Sequence, residues 1–304
     1  LITQKHTLYP SDKVMPWTNY HSHTYFCDGK YPPSYYASEA HRQNFIAYGF
    51  SSHAPLPFDC RWCMREDSLD RYYAEVRKLK QRWEGKLQLY YGLEVDYIPG
   101  VIGPQNLFIR DLALDYCVGS VHFVGARADG TRWEIDGAHQ PFLDGLKEIF
   151  SNDIRRAVQQ YYEQIRQMVT EERPAVVGHL DKIKIQNQYT PLFDETEDWY
   201  REAILQTLRS IASEGLVLEV NTRGLYKKRA LETYPGQWTL EQAFQLGIPL
   251  TLSSDAHHPR EISGYFAETA QRLHQIGYRQ LHVLWNGAWQ PLPFDASGIV
   301  FSES

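Results

Sequence analysis

Two short motifs place imidazole and carboxylate groups in register for metal chemistry. His21-Ser22-His23 alternates through what reads as a strand end, and a period of two sends both imidazoles to one face. Asp255-Ala256-His257 repeats the device near the other end of the chain. Three more histidines each close a short apolar run: His53 in Gly-Phe-Ser-Ser-His, His122 in Val-Gly-Ser-Val-His and His179 in Val-Val-Gly-His. Glu94, in Gly-Leu-Glu-Val-Asp, ends an apolar strand, where a charge is costly unless it is paired or bound to metal. One histidine at a strand end is ordinarily a hydrogen-bonded polar residue. Six in that context, joined by two carboxylates, point to a metal site. Imidazole with carboxylate suits zinc, manganese or iron, and the lack of cysteine among the donors speaks against a purely structural zinc. The donors outnumber what one tetrahedral ion takes, so two or three divalent ions are expected. His6, His41, His139, His274 and His282 lack this context and read as surface or core residues.

These donors need elements that converge. Apolar runs predict strands over Trp17–His23, Phe45–His53, Leu87–Val95, Tyr116–Phe123, Ala175–His179, Leu216–Asn221 and Ile248–Ser254. Between them, helical patterns cover Pro32–Asn44, Asp67–Gly85, Asn106–Leu112, Asp153–Glu172, Glu195–Glu214, Thr239–Leu246 and about Arg260–Gln275. Strand-then-helix alternation with near-continuous apolar strands indicates an α/β protein with a parallel sheet. The ends of distant strands lie far apart in an open sheet but meet at the mouth of a barrel, so the position of the donors favours a (β/α) barrel of TIM-barrel-like type. The expected organisation is one domain over residues 1–304, its tail from about Gly277 adding an edge strand or capping the barrel.

Composition excludes other classes. A formal charge of −6 offers no basic footprint for nucleic acid or an anionic membrane. No run has the length of a membrane helix, and the N-terminal residues lack a signal peptide's apolar stretch. Four scattered cysteines do not make a secreted disulfide scaffold, so a reducing, cytoplasmic setting is expected. Cys60-Arg-Trp-Cys63 spells C-x-x-C, a redox pair or half a zinc site; with no second such motif, two ordinary loop cysteines are the simpler expectation. A monomer or small homo-oligomer fits equally well.

His-Ser-His-Thr followed by Asp28-Gly29, then Ser-Ser-His-Ala-Pro, Gly-Leu-Glu-Val-Asp, Ser-Val-His, Gly-His-Leu-Asp and Ser-Asp-Ala-His occur in that order from about residue 18 to 265. Together they resemble the PHP (polymerase and histidinol phosphatase) family, and most of all its histidinol-phosphate phosphatases. The resemblance implies a distorted seven-stranded (β/α) barrel with a trinuclear metal centre. Carried over position by position, it implies His21, His23, Glu94 and Asp255 on one ion, and Glu94, His122 and His257 on a second. Asp28, His53 and His179 would hold a third, with Asp28 standing where some members carry histidine.

The implied reaction is hydrolysis of a small phosphate monoester, L-histidinol phosphate, in histidine biosynthesis, with water attacking phosphorus in line. Asp28, Glu94, Asp255 and His257 are the residues expected to carry catalysis. Arg223, Arg260 and Arg127 follow strand ends and could clamp phosphate, and His258 could line the substrate pocket. His258, Asp96 or Lys182 could protonate the leaving alkoxide. Glu219 and Asn221, on a strand without an evident ligand, either line the pocket or hold ligand side chains. The competing expectations are another PHP phosphoesterase acting on a nucleoside monophosphate, a metal-binding module without activity, and an amidohydrolase; no strand-end lysine offers itself for the carbamylated bridge of the last.

Overall fold

The structure, a computed structural model, describes residues 16–301; His6 lies outside them. Seven parallel strands form its body. β1 (Thr18–Asn19), β2 (Ala47–Phe50), β3 (Gln88–Asp96) and β4 (Tyr116–Ser120) come first. An antiparallel hairpin, β5 (Phe123–Ala126) and β6 (Arg132–Glu134), interrupts the series, which resumes with β7 (Val176–Val177), β8 (Val217–Asn221) and β9 (Leu250–Ser253). The seven lie side by side in chain order. The first and last then meet through a parallel bridge between Ser22 and Ala256, with the His23 amide donating to Ala256 O at 2.8 Å. The sheet is therefore a distorted, nearly closed barrel, as the convergence of the donors predicted.

Helices pack around the barrel where their sequences start and stop. Pro33–Arg42 begins on a proline, whose missing N–H is no loss in a first turn. Ile154–Gln167 is capped by Asp153, whose carboxylate accepts from the Arg156 amide at 2.9 Å, and it buries Ala157, Val158, Tyr161 and Ile165. Asp198–Glu214 stops at Gly215, which takes the left-handed conformation that favours glycine. With helices outside and side chains filling the inside, β3 is buried along all but its first residue, which is why it reads as a continuous apolar run.

Tyr116 fills the barrel below the donor ring. From the start of β4 its hydroxyl donates to Tyr20 O at 2.8 Å and Phe50 O at 3.2 Å, tying three strands together. Glycines on β2 and β3 make room: a Cβ on Gly49 would lie 2.3 Å from the Tyr116 hydroxyl, and one on Gly92 would lie 2.6 Å from its ring. The tail forms an antiparallel meander of β10 (Gln280–Trp285), β11 (Ala288–Asp295) and β12 (Gly298–Ile299). Its Trp289 meets Tyr20 edge-on at 5.1 Å between ring centroids, and the Tyr20 hydroxyl donates to Leu284 O at 2.8 Å.

The β5–β6 hairpin and the helix His139–Phe150 depart from the sequence expectation. Residues 116–123 read as one apolar strand, but the ladder stops at Ser120 and the chain turns at His122 into the hairpin. In the helix, Gly145 weakens the helical pattern because the Trp133 indole occupies the place of its side chain; a Cβ there would lie 2.0 Å from the ring.

Gly49→Ala forces the buried Tyr116 ring out of its place and is expected to destabilise the protein by about 2 kcal/mol, the scale of core overpacking. Chemical denaturation checks this; a change within about 0.5 kcal/mol would mean that Tyr116 relaxes freely.

Candidate metal centre

Every expected donor arrives at the carboxyl end of the barrel. His21 and His23 follow β1, His53 follows β2, Glu94 stands near the end of β3, His122 follows β4, His179 follows β7, and Asp255 and His257 follow β9. Asp28 comes from the loop after β1, which is pinned to the last strand end by the Lys30 amide donating to His257 O at 2.9 Å. All but Asp28 and His257 are buried.

Glu94 is the axis of the arrangement. Its Oε2 lies 2.9 Å from His53 Nδ1 and 3.2 Å from His21 Nε2, and its Oε1 lies 2.9 Å from His179 Nε2. Four sets of side chains bring potential ligand atoms within 4.8 Å of one another: His23, Asp28, His53 and His257; His21, Glu94 and His179; His21, His23 and Asp255; and His53, Glu94 and His122. This grouping differs from the one the resemblance implied. His257 lies beside Asp28, with Nε2 3.0 Å from Oδ2, rather than with His122. His179 faces His122, Nε2 to Nε2 at 3.2 Å, because β4 and β7 are neighbours.

The donors fit divalent ions on their own chemistry. His21 Nε2, His23 Nε2 and His53 Nδ1 are buried 3.2, 3.5 and 2.9 Å from Glu94 Oε2, and none of these atoms has a well-directed hydrogen bond. Buried polar atoms are rarely left so, and several at one point mark a place where a cation completes the bonding. The outer sides of the rings are held. His21 Nδ1 meets Glu219 Oε1 at 2.6 Å, and Glu219 Oε2 accepts from the His179 amide at 2.8 Å. His122 Nδ1 meets Asp96 Oδ1 at 2.9 Å. Such carboxylates fix which ring nitrogen points inward. Asn221 extends the network, donating to Glu219 Oε2 at 3.1 Å and Asp255 Oδ2 at 3.3 Å. Of the two roles open to Glu219 and Asn221, holding ligands is the one their bonds serve.

Asp255 occupies the left-handed region, with φ of 53°, a strained conformation for a residue with a side chain. Arg223 Nη1 donates to Asp255 O at 2.7 Å, and the Tyr226 hydroxyl donates to the same oxygen at 3.1 Å, holding the turn. Arg223 Nη1 also lies 2.7 Å from His257 Nδ1.

Charge follows this packing. Burial opposes ionisation of Glu94, but His21, His53 and His122 outweigh it and hold the carboxyl well below its usual range. Burial likewise disfavours charged Asp255, and Arg223, His21 and Lys182 overcome it. Asp28 is also held low, against burial, by its bond to His257 and by His53. Burial lowers His122, yet Asp96 and Glu94 push it up to about 10. His23, deprived of solvent and crowded by His257 and His53, is pushed down.

A cavity of about 160 Å³ opens over these groups. Besides donors it is lined by Lys182, Arg223, Arg229, Trp62, Glu134 and Asp136. Lys182 Nζ lies 3.5 Å from Asp255 Oδ2 and 3.7 Å from Asp136 Oδ2. The other substrate candidates stand elsewhere. Arg260 is exposed on the turn after His257, and His258 Nδ1 accepts from the Arg260 amide at 3.0 Å, which spends it on that turn. Arg127 sits in the β5–β6 hairpin and pairs with Glu148 at 3.2 Å. Asp96 is committed to His122. Trp62, Glu134, Asp136 and Arg229 carry no signal in the sequence that places them at the site. They come from loops and the hairpin, with no apolar run to mark them, and the C-x-x-C spacing around Trp62 does not point to the centre.

A model of the PHP domain matches residues 19–223. The histidinol-phosphatase of Bacillus subtilis is 32% identical over 266 residues, covering 82% of this chain and 96% of its own. Among solved structures, one from Listeria monocytogenes superposes with a TM-score of 0.71 at 24% identity, covering 82% of this chain and 98% of its own. The histidinol phosphate phosphatase of Lactococcus lactis superposes with a TM-score of 0.68 at 20% identity, covering 94% and 99%. These two likenesses show the shared barrel.

Glu219→Gln removes the carboxylate that orients His21 and is expected to weaken metal binding by about 10- to 100-fold, with little change in fold by circular dichroism. Competition against a chromophoric chelator measures it, and unchanged affinity would take Glu219 out of the centre's support. The metal-free protein carries a pH signature as well. His122 rises from 6.5 to about 10 on folding, so its contribution to stability is complete below pH 6.5 and lost as pH climbs through 10. The melting temperature of metal-free protein should therefore fall across that interval, and fall less in His122→Asn.

Proposed function

Because the chain belongs to the PHP domain family, we propose that it is a metal-dependent phosphate monoester hydrolase that converts L-histidinol phosphate and water to L-histidinol and phosphate. The observation that carries this reading is the single cavity in which a crowd of metal-ligand side chains faces three cations, Lys182, Arg223 and Arg229. Ligands of that kind without nearby cations would suit many hydrolytic centres; with them, the site suits a substrate bearing two negative charges on phosphorus. The substrate is taken from the relative in Bacillus subtilis, whose described activity is histidinol-phosphatase.

His21, His23, Asp28, His53, Glu94, His122, His179, Asp255 and His257 would hold two or three divalent ions of zinc, manganese or iron. Such ions, when bound, supply Lewis-acid polarisation of phosphate oxygens and acidify a water for attack. The Lactococcus lactis protein was solved with zinc, L-histidinol and phosphate, which puts zinc first among the metals to try. The chain's own residues do the rest. Arg223 offers a guanidinium that keeps its charge at any working pH and whose place is fixed by Asp255 and Tyr226. Lys182 Nζ stands at the cavity wall beside Asp255, placed to meet the leaving alkoxide. Glu134 and Asp136 bring negative charge to the wall, Asp136 beside Lys182, and suit the cationic amine of the substrate. Burial, with Asp136 beside it, raises the Glu134 carboxyl above its usual value.

The same reading treats the chain as one PHP-type domain with a capping tail from about residue 277. It places the protein in the cytoplasm as a monomer or small homo-oligomer, with no nucleic-acid partner. Among the described residues no helix is long and apolar enough to cross a membrane.

The test is phosphate release from L-histidinol phosphate beside a panel of other monoesters, before and after chelation and after zinc, manganese or iron is restored. Preference for histidinol phosphate, lost on chelation and regained with metal, is the expected outcome. Metal-dependent turnover of other esters alone would replace the substrate, and no turnover of any ester would remove the enzyme. Arg223→Ala should lower kcat/KM on the order of 10²-fold, the cost of one donor to developing charge; full activity in that variant would remove Arg223 from the phosphate site.

A further inference from the structure

The loop leading from His53 to the helix Leu69–Arg82 holds a feature that phosphate chemistry does not use. Cys60 and Cys63 are bonded to each other, so that Arg61 and Trp62 are held within a ring of four residues. This differs from the expectation of two ordinary loop cysteines; the turn brings their Cα atoms to 5.4 Å, inside the range a disulfide spans. Trp62 lies against the metal centre. Its ring meets His53 at 4.4 Å and His122 at 5.3 Å between centroids, both edge-on, and stacks on Phe123 at 5.5 Å. It also walls the substrate cavity. On the outer side, Cys60 is half-buried and borders two surface depressions, while Cys63 is buried and borders one of them. One short ring thus faces solvent with a sulfur–sulfur bond and faces the centre with an indole.

A ring this short restrains little of the unfolded chain, so its bond adds less to global stability than one closing a long loop. Its leverage is local. The two remaining cysteines, Cys27 and Cys117, are free, and neither is a neighbour of the pair in sequence.

We propose that Cys60–Cys63 is a reversible thiol–disulfide exchange site for dithiol reductants, and that its state sets how firmly Trp62 closes the metal cavity. A thiolate of the dithiol attacks the more accessible Cys60 sulfur. The bond between the two cysteine sulfurs breaks, and Cys63 leaves with the electron pair and takes up a proton. The second thiol of the reductant then attacks its own partner sulfur in the mixed disulfide. Cys60 is released as a thiol, and the reductant departs as a cyclic disulfide. Two electrons pass to the protein, two protons accompany them, and excess cyclic disulfide runs the exchange backwards. With the ring open, Trp62 keeps its stacking on Phe123, its edge contacts with the imidazoles and its approach to Glu134 but loses the covalent restraint, and the wall over the centre loosens.

The experiment uses the full metal-loaded chain and needs no turnover, so it stands or falls apart from the phosphatase reading. Protein treated with dithiothreitol, or left untreated, is desalted without oxygen. One portion is alkylated with iodoacetamide and mapped by mass spectrometry. The other is followed for metal release to a chromophoric chelator. Cys60 and Cys63 should become alkylated only after reduction, and metal release should then be several-fold faster. Cyclic disulfide of the reductant should reverse both effects. C60S/C63S should release metal at the fast rate whatever the treatment, and Trp62→Ala should do so with its disulfide intact. Alkylation of both cysteines in untreated protein, or of neither after reduction, overturns the exchange site. Alkylation on reduction without faster release overturns the link to the cavity. So does an acceleration by dithiothreitol that persists in C60S/C63S, which would be chelation by the reductant.

Discussion

A carboxylate buried among imidazoles must be neutralised, and much of the architecture around Glu94 serves that need. Its two oxygens have ring nitrogens of His21, His53 and His179 within 3.2 Å and those of His23 and His122 within 3.6 Å. Water is excluded there, so each charge is felt at close range. A lone ionised carboxylate in that place would be very costly, and buried imidazoles without it would lose their acceptor. The group is stable only as a set. It therefore needs strand ends from around the barrel at one point, and an open sheet could not supply them.

The set is held from behind as carefully as it is assembled in front. Glu219 and Asp96 occupy the outer nitrogens of His21 and His122, and Asn221 links Glu219 to Asp255. These residues lie on β8 and β3, elements whose own dihedral angles and burial leave them little freedom. At the opposite end, Tyr116 and Trp289 fill and close the barrel. The centre thus rests on a packed floor rather than over an open channel. Stability of the floor and geometry of the mouth are linked through the same strands.

Legibility in the sequence followed the strength of local pattern. The strand-end donors could be found because each sits where an apolar run stops, and the seven strands because a buried parallel strand is apolar along its length. Resemblance to a family implied the donors but grouped His179 and His257 otherwise than their side chains pack, since packing depends on which strand ends are neighbours. Arginines judged by position along the chain fared unevenly. Arg223 reaches the cavity because the short helix Arg223–Tyr226 folds it back over Asp255. Arg260 follows an equally suitable motif but is carried outward by the turn that His258 caps. Glu134 left no periodic trace because a hairpin places it, and Trp62 lay inside a C-x-x-C spacing whose ring says nothing of where the indole points.

Asp255 shows how backbone and chemistry can narrow the same position independently. Its left-handed φ of 53° admits glycine readily and asparagine or aspartate tolerably, and penalises other side chains. A ligand at that point demands an anionic oxygen donor on a short stem. Glycine has no donor, glutamate has the donor but the wrong backbone preference, and asparagine has the shape without the charge. Few residues satisfy either demand, and only aspartate satisfies both. The codon for residue 255 should thus be among the least free to drift in this gene, and a laboratory library built there should return the parental residue almost alone.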